Sequence, residues 1–220
     1  AVHEEAVGFG LGHQRVVHLI AAQLVMATFT RGLRVVHRHP CIRHDQIGAL
    51  TREAVDTILF TDFGSGQLPT ILSEATDVRP IVCDHHEPAD VTAEYHLNPH
   101  CFGIDGSSEL SGAGTTYVLA RALGGDRNRD LAALAVVGAV GDMQASNGEL
   151  HGANERVVRE GVDAGVLETG IDLSFYGTQT RPLPKLLEYA SDVRIPGITN
   201  DRSGSRRFFE ELDVPVKADD

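Results

Sequence analysis

The stretch PIVCDHHEP, residues 80 to 88, places an acid and two histidines directly after an apolar run. Burying groups such as Asp84, His85 and His86 costs free energy unless they are hydrogen-bonded or bind a metal. Mixed aspartate and histidine ligation suits Mn²⁺, Mg²⁺ or zinc. The stretch therefore predicts one half of a metal site, and the other half must come from elsewhere in the chain.

Two further acids end apolar segments. Asp62 ends ILFTD, and Asp142 ends GAVGD, which follows a long apolar run. In an open parallel sheet, ligands lie outside the carboxyl ends of the strands, where such acids would meet. Two metals held about 3.5–4 Å apart would suit in-line phosphoryl displacement. Taken singly, each group has a plainer interpretation as a helix cap or a surface turn, but their joint occurrence favours the metal site.

The elements that must position these groups alternate in the first half of the chain. Apolar periodicity predicts strands over 32–39, 56–62 and 79–86, and helices over 13–30, 45–54 and 66–75. This alternation is typical of an α/β fold with a parallel sheet and helices on its faces. The C-terminal half is predicted to be helical over 111–123, 129–142, 154–168, 182–190 and 206–214.

Composition narrows the functional classes. The 220 residues carry a formal net charge of -12, which argues against a broad basic face for polyanions. Local positive charge could still come from a metal bound by acids. The 3 cysteines are odd in number and lack CxxC spacing, which disfavours a disulfide framework. No apolar run is long enough to span a bilayer. We therefore expect a cytoplasmic protein without membrane partners.

Four segments in this order resemble the archaeal RecJ-like proteins, the GINS-associated nucleases of the DHH phosphoesterase superfamily. They are LFTDFGSGQ, VCDHHEP, HLNPHCFGIDGSSELSGAGTTYVLARAL and LAALAVVGAVGDMQ, and the resemblance runs from residue 1 to about 212. It implies a DHH-type domain with a parallel five-stranded sheet flanked by helices. It also implies hydrolysis of phosphodiesters from the 5′ end of single-stranded DNA or RNA, in replication and repair.

The resemblance also implies roles for the candidate residues. An aspartate placed like Asp62 bridges two Mn²⁺ ions, and His85 binds one of them. His86 lies nearer the scissile phosphate, and Asp142 completes the site. Asp84 orients the two histidines, a supporting role that carboxylates often have around metals. On this basis His86 and Asp84 are the catalytic candidates.

Candidate phosphate contacts come from two places. The SGAG turn, with Ser111, Gly112 and Gly114, offers backbone N–H groups at a helix N-terminus. The same turn is equally well explained as an N-cap with small residues for close packing. Arg181, in TQTRPLPK, is a further candidate, although a solvated surface arginine is the plainer interpretation.

The first motif of the family, HxDxDG, is altered in this chain. The matching segment AVHEEAVGFG keeps His3 but has Glu5 and Val7 where the family has aspartates. Glu5 could bind a metal with a shifted carboxylate, whereas Val7 cannot, and sites need placement within ~0.5 Å. His3 and Glu5 therefore remain candidate metal ligands. We expect up to two Mn²⁺ ions, or Mg²⁺, with reduced occupancy and impaired catalysis, unless this terminal alignment is incorrect.

The resemblance predicts a DHH domain over 1–195, and a linker or the start of a missing C-terminal DHHA1-type domain over 196–220. Three functions follow as hypotheses. The first is a metal-dependent single-strand exonuclease domain. The second is a catalytically inactive replisome scaffold that binds GINS and the replicative helicase. The third, which the quoted segments fit less well, is a phosphoesterase for cyclic dinucleotides or short oligonucleotides.

Overall fold

The computed structural model describes residues 33–37, 55–146, 148–170, 181–190 and 193–216. The chain divides into two compact units, residues 1–169 and residues 170–220. Before residue 55, the strand predicted over 32–39 is present at Leu33–His37. The helices predicted over 13–30 and 45–54 lie outside the described residues. The predicted domain boundary at residues 195/196 remains a prediction.

The first unit is built on a parallel sheet. Its described strands are β1 (Leu33–His37), β2 (Thr57–Thr61), β3 (Arg79–Cys83) and β4 (His96–Leu97), in the spatial order β1-β2-β3-β4. All neighbouring pairs are parallel. The predicted α/β class with a parallel sheet is confirmed. The described residues contain four strands, so the five strands implied by the resemblance are not confirmed.

Both faces of the central strand β2 are buried. Its side chains alternate between two apolar clusters, because successive strand residues point to opposite faces. Leu59 packs into a cluster with residues of the later helices, including Tyr117 and Ala135. Ile58 and Phe60 pack into the other cluster. Burial of both faces is typical of parallel sheets covered by helices, and it fixes the ends of the strands in place.

The described residues of the first unit contain four α-helices, the first of them between β2 and β3. They are α1 (Leu68–Glu74), α2 (Gly112–Gly124), α3 (Ala132–Gly141) and α4 (Gly152–Asp163). The apolar segment predicted as a helix from residue 129 enters through a 3₁₀ turn and becomes α-helical only at Ala132. None of the described helices is long and apolar enough to cross a membrane.

The second unit contains α5 (Leu183–Glu188) and α6 (Arg202–Glu211). The prediction that the last helix begins at residue 206 was wrong, because Asp201 caps it earlier by accepting a 2.9 Å hydrogen bond from the N–H of Gly204. The Ser205 hydroxyl donates to the carbonyl of Pro184 at 2.5 Å. This bond joins the two helices within the unit.

Candidate metal centre

Asp62 stands at the carboxyl end of the buried strand β2. Strands β2 and β3 are in register with Thr61 beside Cys83, so Asp62 and Asp84 leave the sheet side by side. Asp62 has φ 63°, in the left-handed region that aspartate tolerates better than most residues. Its N–H donates to the carbonyl of Cys83 at 2.9 Å, and the residue is 1% exposed. The turn therefore fixes a buried carboxylate at the edge of the sheet.

The ring of His85 lies between two carboxylates. Its Nε2 is 3.3 Å from Oδ1 of Asp62 and 3.5 Å from Oδ2 of Asp142. Its Nδ1 is 2.7 Å from the carbonyl oxygen of Gly106. A carbonyl can only accept, so Nδ1 carries a proton and donates it. Nε2 is then the nitrogen that faces both acids, where it must hold either a second proton or a cation.

Electrostatics around His85 agree with this geometry. Burial of the ring lowers the pKa of His85, but the hydrogen bonds to Asp62 and Gly106 and the charges of both acids outweigh burial. The pKa of His85 is raised to about 9. The surrounding carboxylates therefore favour positive charge at this position. A divalent cation coordinated by Nε2 and the acids would supply that charge in place of the proton.

His86 presents its ring beside that of His85. The ring centroids are 4.3 Å apart in an edge-to-face arrangement, and the His86 side chain is 41% exposed. Its Nδ1 lies 2.7 Å from Oδ1 of Asp84, which leaves Nε2 as the nitrogen available to a ligand. One ligand atom each from Asp62, His85 and His86 lies within 4.8 Å of the other two. Such a cluster of donors can hold a metal ion.

Asp84 supports the histidines instead of joining this cluster. Its Oδ1 accepts from the N–H of His85 at 2.8 Å, and its Oδ2 accepts from the N–H of Ser65 at 2.9 Å. Burial raises the pKa of Asp84, but the hydrogen bonds from His86 and Ser65 outweigh it and keep the pKa below its ordinary value. Asp84 is thus an anionic anchor for the backbone and ring that follow it. Its catalytic role remains a prediction.

A buried hydrogen-bonded group that our sequence reasoning missed lies behind this loop. The Nδ2 of Asn98 donates to Oγ of Ser65 and to the carbonyl of His86, each at 2.8 Å. The Ser65 hydroxyl also lies 2.8 Å from Nε2 of His96. Asn98 and Ser65 are fully buried. They connect the segment after β2, which carries Asp62, to the segment after β3, which carries the two histidines. These bonds help to fix the distance between Asp62 and the histidines.

Asp142 follows the end of helix α3 and lies 3.5 Å from His85, and its role as a metal ligand remains a prediction. Its side chain is 25% exposed, and its Oδ2 accepts from Nε2 of Gln144 at 3.2 Å. Gln144 also donates to the carbonyl of Gly106 at 2.8 Å, the carbonyl that holds His85. Sequence reasoning missed Gln144 and Gly106. The only signal was that Gln144 ends the quoted GDMQ segment, since its partners are distant in sequence.

The SGAG turn lies directly over Asp62. The Oγ of Ser111 accepts from the N–H of Gly114 at 3.0 Å, so Ser111 is the N-cap of helix α2. A Cβ at Gly112 would overlap the Asp62 carboxylate, so the close approach needs glycine there. The cap and the close packing are therefore present. Phosphate binding by Ser111, Gly112 and Gly114 remains a prediction.

The remaining candidates lie outside the described residues of the first unit. His3, Glu5 and Val7 lie outside the described residues. Arg181 belongs to the second unit, where its guanidinium lies 5.7 Å from the centre of the Tyr189 ring. A role for Arg181 in phosphate binding remains a prediction.

Comparison with known family models finds a match near the C-terminal end of the sequence. Residues 175–220 match the DHH-CID domain family model. The match covers less than half of the chain and supports the resemblance to the DHH superfamily over that segment. It also covers residues 196–220, which were predicted to form a linker or the start of another domain.

Two individual proteins are similar to larger parts of the chain. The uncharacterized protein MJ0831 of Methanocaldococcus jannaschii is 32% identical over 161 residues, which span 71% of this chain and 35% of the relative. A crystal structure of exonuclease RecJ bound to manganese aligns with 23% identity and a TM-score of 0.41, over 73% of this chain and 49% of that one. The chain therefore spans about a third of the relative and about half of the RecJ structure.

Proposed function

We propose that this chain is a RecJ-like DHH phosphoesterase domain that uses divalent cations to hydrolyse single-stranded nucleic acid. The observation that supports it most directly is the anchoring of both histidines through Nδ1. His85 is anchored to the carbonyl of Gly106 and His86 to the carboxylate of Asp84, each at 2.7 Å. Metal-binding histidines in proteins are typically held in this way, with the other ring nitrogen left for the ion.

The donor set fits a cation such as Mn²⁺ or Mg²⁺. Asp62, His85 and Asp142 would hold it from one side and His86 from the more exposed side. The set combines carboxylate oxygens with imidazole nitrogens and has no thiolate, a combination that suits Mn²⁺ and accommodates Mg²⁺ or zinc. A bound cation would neutralise phosphate charge and lower the pKa of a coordinated water.

The substrate class follows from charge and from the resemblance. A chain of net charge -12 repels polyanions at long range, so phosphate recognition must be local, at the cation and the neighbouring N–H groups. Of the two site histidines, His86 has the more exposed ring and is the one placed to meet a phosphate. We propose single-stranded DNA or RNA, attacked from the 5′ end, as the substrate.

The test is a nuclease assay on 5′-labelled single strands of DNA and of RNA, with Mn²⁺, with Mg²⁺ or with a chelator. We expect Mn²⁺-dependent release of short products by the wild-type chain and loss of release in His85→Ala. Double-stranded DNA of the same sequence is the substrate control. No hydrolysis of either strand at any metal concentration would contradict the enzymatic form of this proposal.

Val7 supports a second candidate function, an inactive scaffold in the replisome. A valine in place of a family metal ligand would leave one of two metal positions incomplete. On this hypothesis the fold persists because it binds GINS and the replicative helicase. Pull-down with purified GINS should then succeed without nuclease activity, and His85→Ala should leave binding unchanged. Hydrolysis by the wild type without any GINS binding would contradict the scaffold.

A further inference from the structure

Two buried amide side chains lie behind the candidate metal centre and were not among the predicted site residues. Gln144 is 5% exposed and Asn154 is 1% exposed. Buried amides are costly unless their donors and acceptors are all satisfied. Their hydrogen bonds therefore show what the fold gains by keeping them.

The amide of Gln144 bonds both sides of the site. Its Nε2 donates to the carbonyl of Gly106 at 2.8 Å and to Oδ2 of Asp142 at 3.2 Å. Both partners are acceptors, so the orientation of the amide is determined and its two N–H bonds are both used. The Gly106 carbonyl also accepts from Nδ1 of His85 at 2.7 Å. One NH₂ group therefore holds the carbonyl that orients His85 and the carboxylate that faces its Nε2.

Asn154 in turn fixes Gln144. Its Nδ2 donates to Oε1 of Gln144 at 2.6 Å, and its own N–H donates to the carbonyl of Glu109 at 2.7 Å. Its Oδ1 accepts from the N–H of Ser111 at 3.4 Å, at the start of the helix that covers Asp62. Helix α4, which carries Asn154, is thereby connected to Gln144 and to the N-terminus of helix α2.

We propose that Gln144, held by Asn154, is a positioning residue that sets the distance between His85 and Asp142 for a divalent cation. The inference rests on the metal centre of the proposed function. Without the Gln144 amide, the Gly106 carbonyl and the Asp142 carboxylate each lose a hydrogen-bond donor. Removing such supporting partners typically costs metal affinity about 10- to 100-fold.

A purely structural role is the competing explanation, because any buried amide contributes to stability. Asn128 provides a matched control. It is 7% exposed and its Nδ2 donates to the carbonyl of Ala120 at 2.8 Å, away from the metal ligands in the chain. Asn128→Leu should lower stability without changing metal affinity. Gln144→Met, which keeps the length of the side chain and removes its hydrogen bonds, should lower both.

The experiment is calorimetric titration of Mn²⁺ into metal-stripped wild type, Gln144→Met, Asn154→Asp and Asn128→Leu, with urea unfolding of each. Asn154→Asp removes the donor to Gln144 and keeps the acceptor for Ser111, so it tests the same link if Gln144→Met does not fold. We expect a roughly 10- to 100-fold weaker Mn²⁺ affinity in Gln144→Met. A smaller loss is expected in Asn154→Asp and unchanged affinity in Asn128→Leu.

Wild-type affinity in both Gln144→Met and Asn154→Asp would overturn this inference and leave the metal centre standing. An equal loss in Asn128→Leu would also overturn it, because the effect would then follow stability. Absence of Mn²⁺ binding by the wild type would overturn the metal centre of the proposed function, and this inference with it. The same set of titrations therefore distinguishes failure of this inference from failure of the proposed metal centre.

Discussion

The Nε2 atom of His85 lies 3.3 Å from Oδ1 of Asp62, where two neighbouring parallel strands end. The two residues are far apart in the sequence and meet because the strands that carry them share a register. Asp142 approaches the same nitrogen at 3.5 Å from the end of a helix. An imidazole whose other nitrogen donates to a carbonyl is thereby surrounded by negative charge, as a cation site requires.

Gly112→Ala should disturb the candidate metal site by displacing the Asp62 carboxylate. The new methyl group would overlap the Asp62 carboxylate, so either the helix N-terminus or Asp62 must move. We expect weaker Mn²⁺ binding in calorimetry and a loss of about 1–3 kcal/mol in the free energy of unfolding, as for other overpacked positions. Gly66→Ala is the control, because a Cβ there would lie 3.8 Å from its nearest neighbour, the carbonyl of Glu87. Normal Mn²⁺ affinity in Gly112→Ala would contradict the close approach.

Asn98→Asp should destabilise the loop that carries the histidines. Asn98 is fully buried, and its Nδ2 donates to Ser65 and to the carbonyl of His86. An aspartate keeps the shape but places a carboxylate oxygen against the carbonyl of His86, which can only accept, so we expect a loss of about 1–3 kcal/mol in urea unfolding. Ser65→Ala should cost less, because the bond to His86 survives. A change below about 0.5 kcal/mol in Asn98→Asp, the size of an ordinary surface effect, would argue against this network.

Glu160 should make stability depend on pH. Burial raises the pKa of its carboxyl, but hydrogen bonds from Tyr117 at 2.7 Å and Arg121 at 2.9 Å outweigh burial and hold the pKa below the ordinary 4.5. A carboxyl group whose pKa is lower in the folded chain than in the unfolded chain stabilises the fold at pH values above its unfolded pKa. This stabilisation is lost as the pH falls through the folded pKa.

Glu160→Gln should therefore reduce the free energy of unfolding most at neutral pH, and the difference from the wild type should shrink in acid. Urea unfolding at a series of pH values measures it. Glu155→Gln, on the same helix, is the control. Its exposed carboxylate pairs with Arg159 at 3.0 Å, and such surface pairs contribute little. A difference between wild type and Glu160→Gln that is constant with pH would rule out the electrostatic explanation.

His86→Ala should distinguish a role in Mn²⁺ binding from a role in hydrolysis. His86 is the more exposed of the two histidines, whereas His85 lies between Asp62 and Asp142. We expect His86→Ala to reduce Mn²⁺-dependent hydrolysis more than it reduces Mn²⁺ affinity, and His85→Ala to abolish both. Calorimetry and the nuclease assay on the same preparations provide the comparison. An equal loss of affinity in the two variants would show that His86 acts mainly as a ligand.

The sequence allowed prediction of the strand ends and of several residues that the structure brings together at the candidate site. The apolar runs before Asp62 and before Asp84 form adjacent strands, and the carboxyl ends of parallel strands necessarily meet at one edge. Asp142 was predicted from the glycine-containing end of an apolar helix, and the structure brings it to His85. These features depend on local periodicity, which a single sequence records.

The supporting groups could not be predicted in the same way. Gln144, Asn154, Asn98 and Ser65 are polar residues whose partners are distant in sequence, and nothing in their local pattern distinguishes them from surface amides and hydroxyls. Strand β4, His96–Leu97, was missed because two residues show no alternation. Helix α6 begins earlier than predicted because its cap, Asp201, lies in a segment that otherwise has the composition of a loop.

The central claim is that Asp62, His85 and Asp142 hold a divalent cation beside His86. The most direct measurement is calorimetric titration of Mn²⁺ into the metal-stripped 220-residue chain and into its His85→Ala variant. The account predicts saturable binding by the wild type and loss of that binding in the variant. Absence of binding by the wild type, or equal binding by His85→Ala, would contradict it.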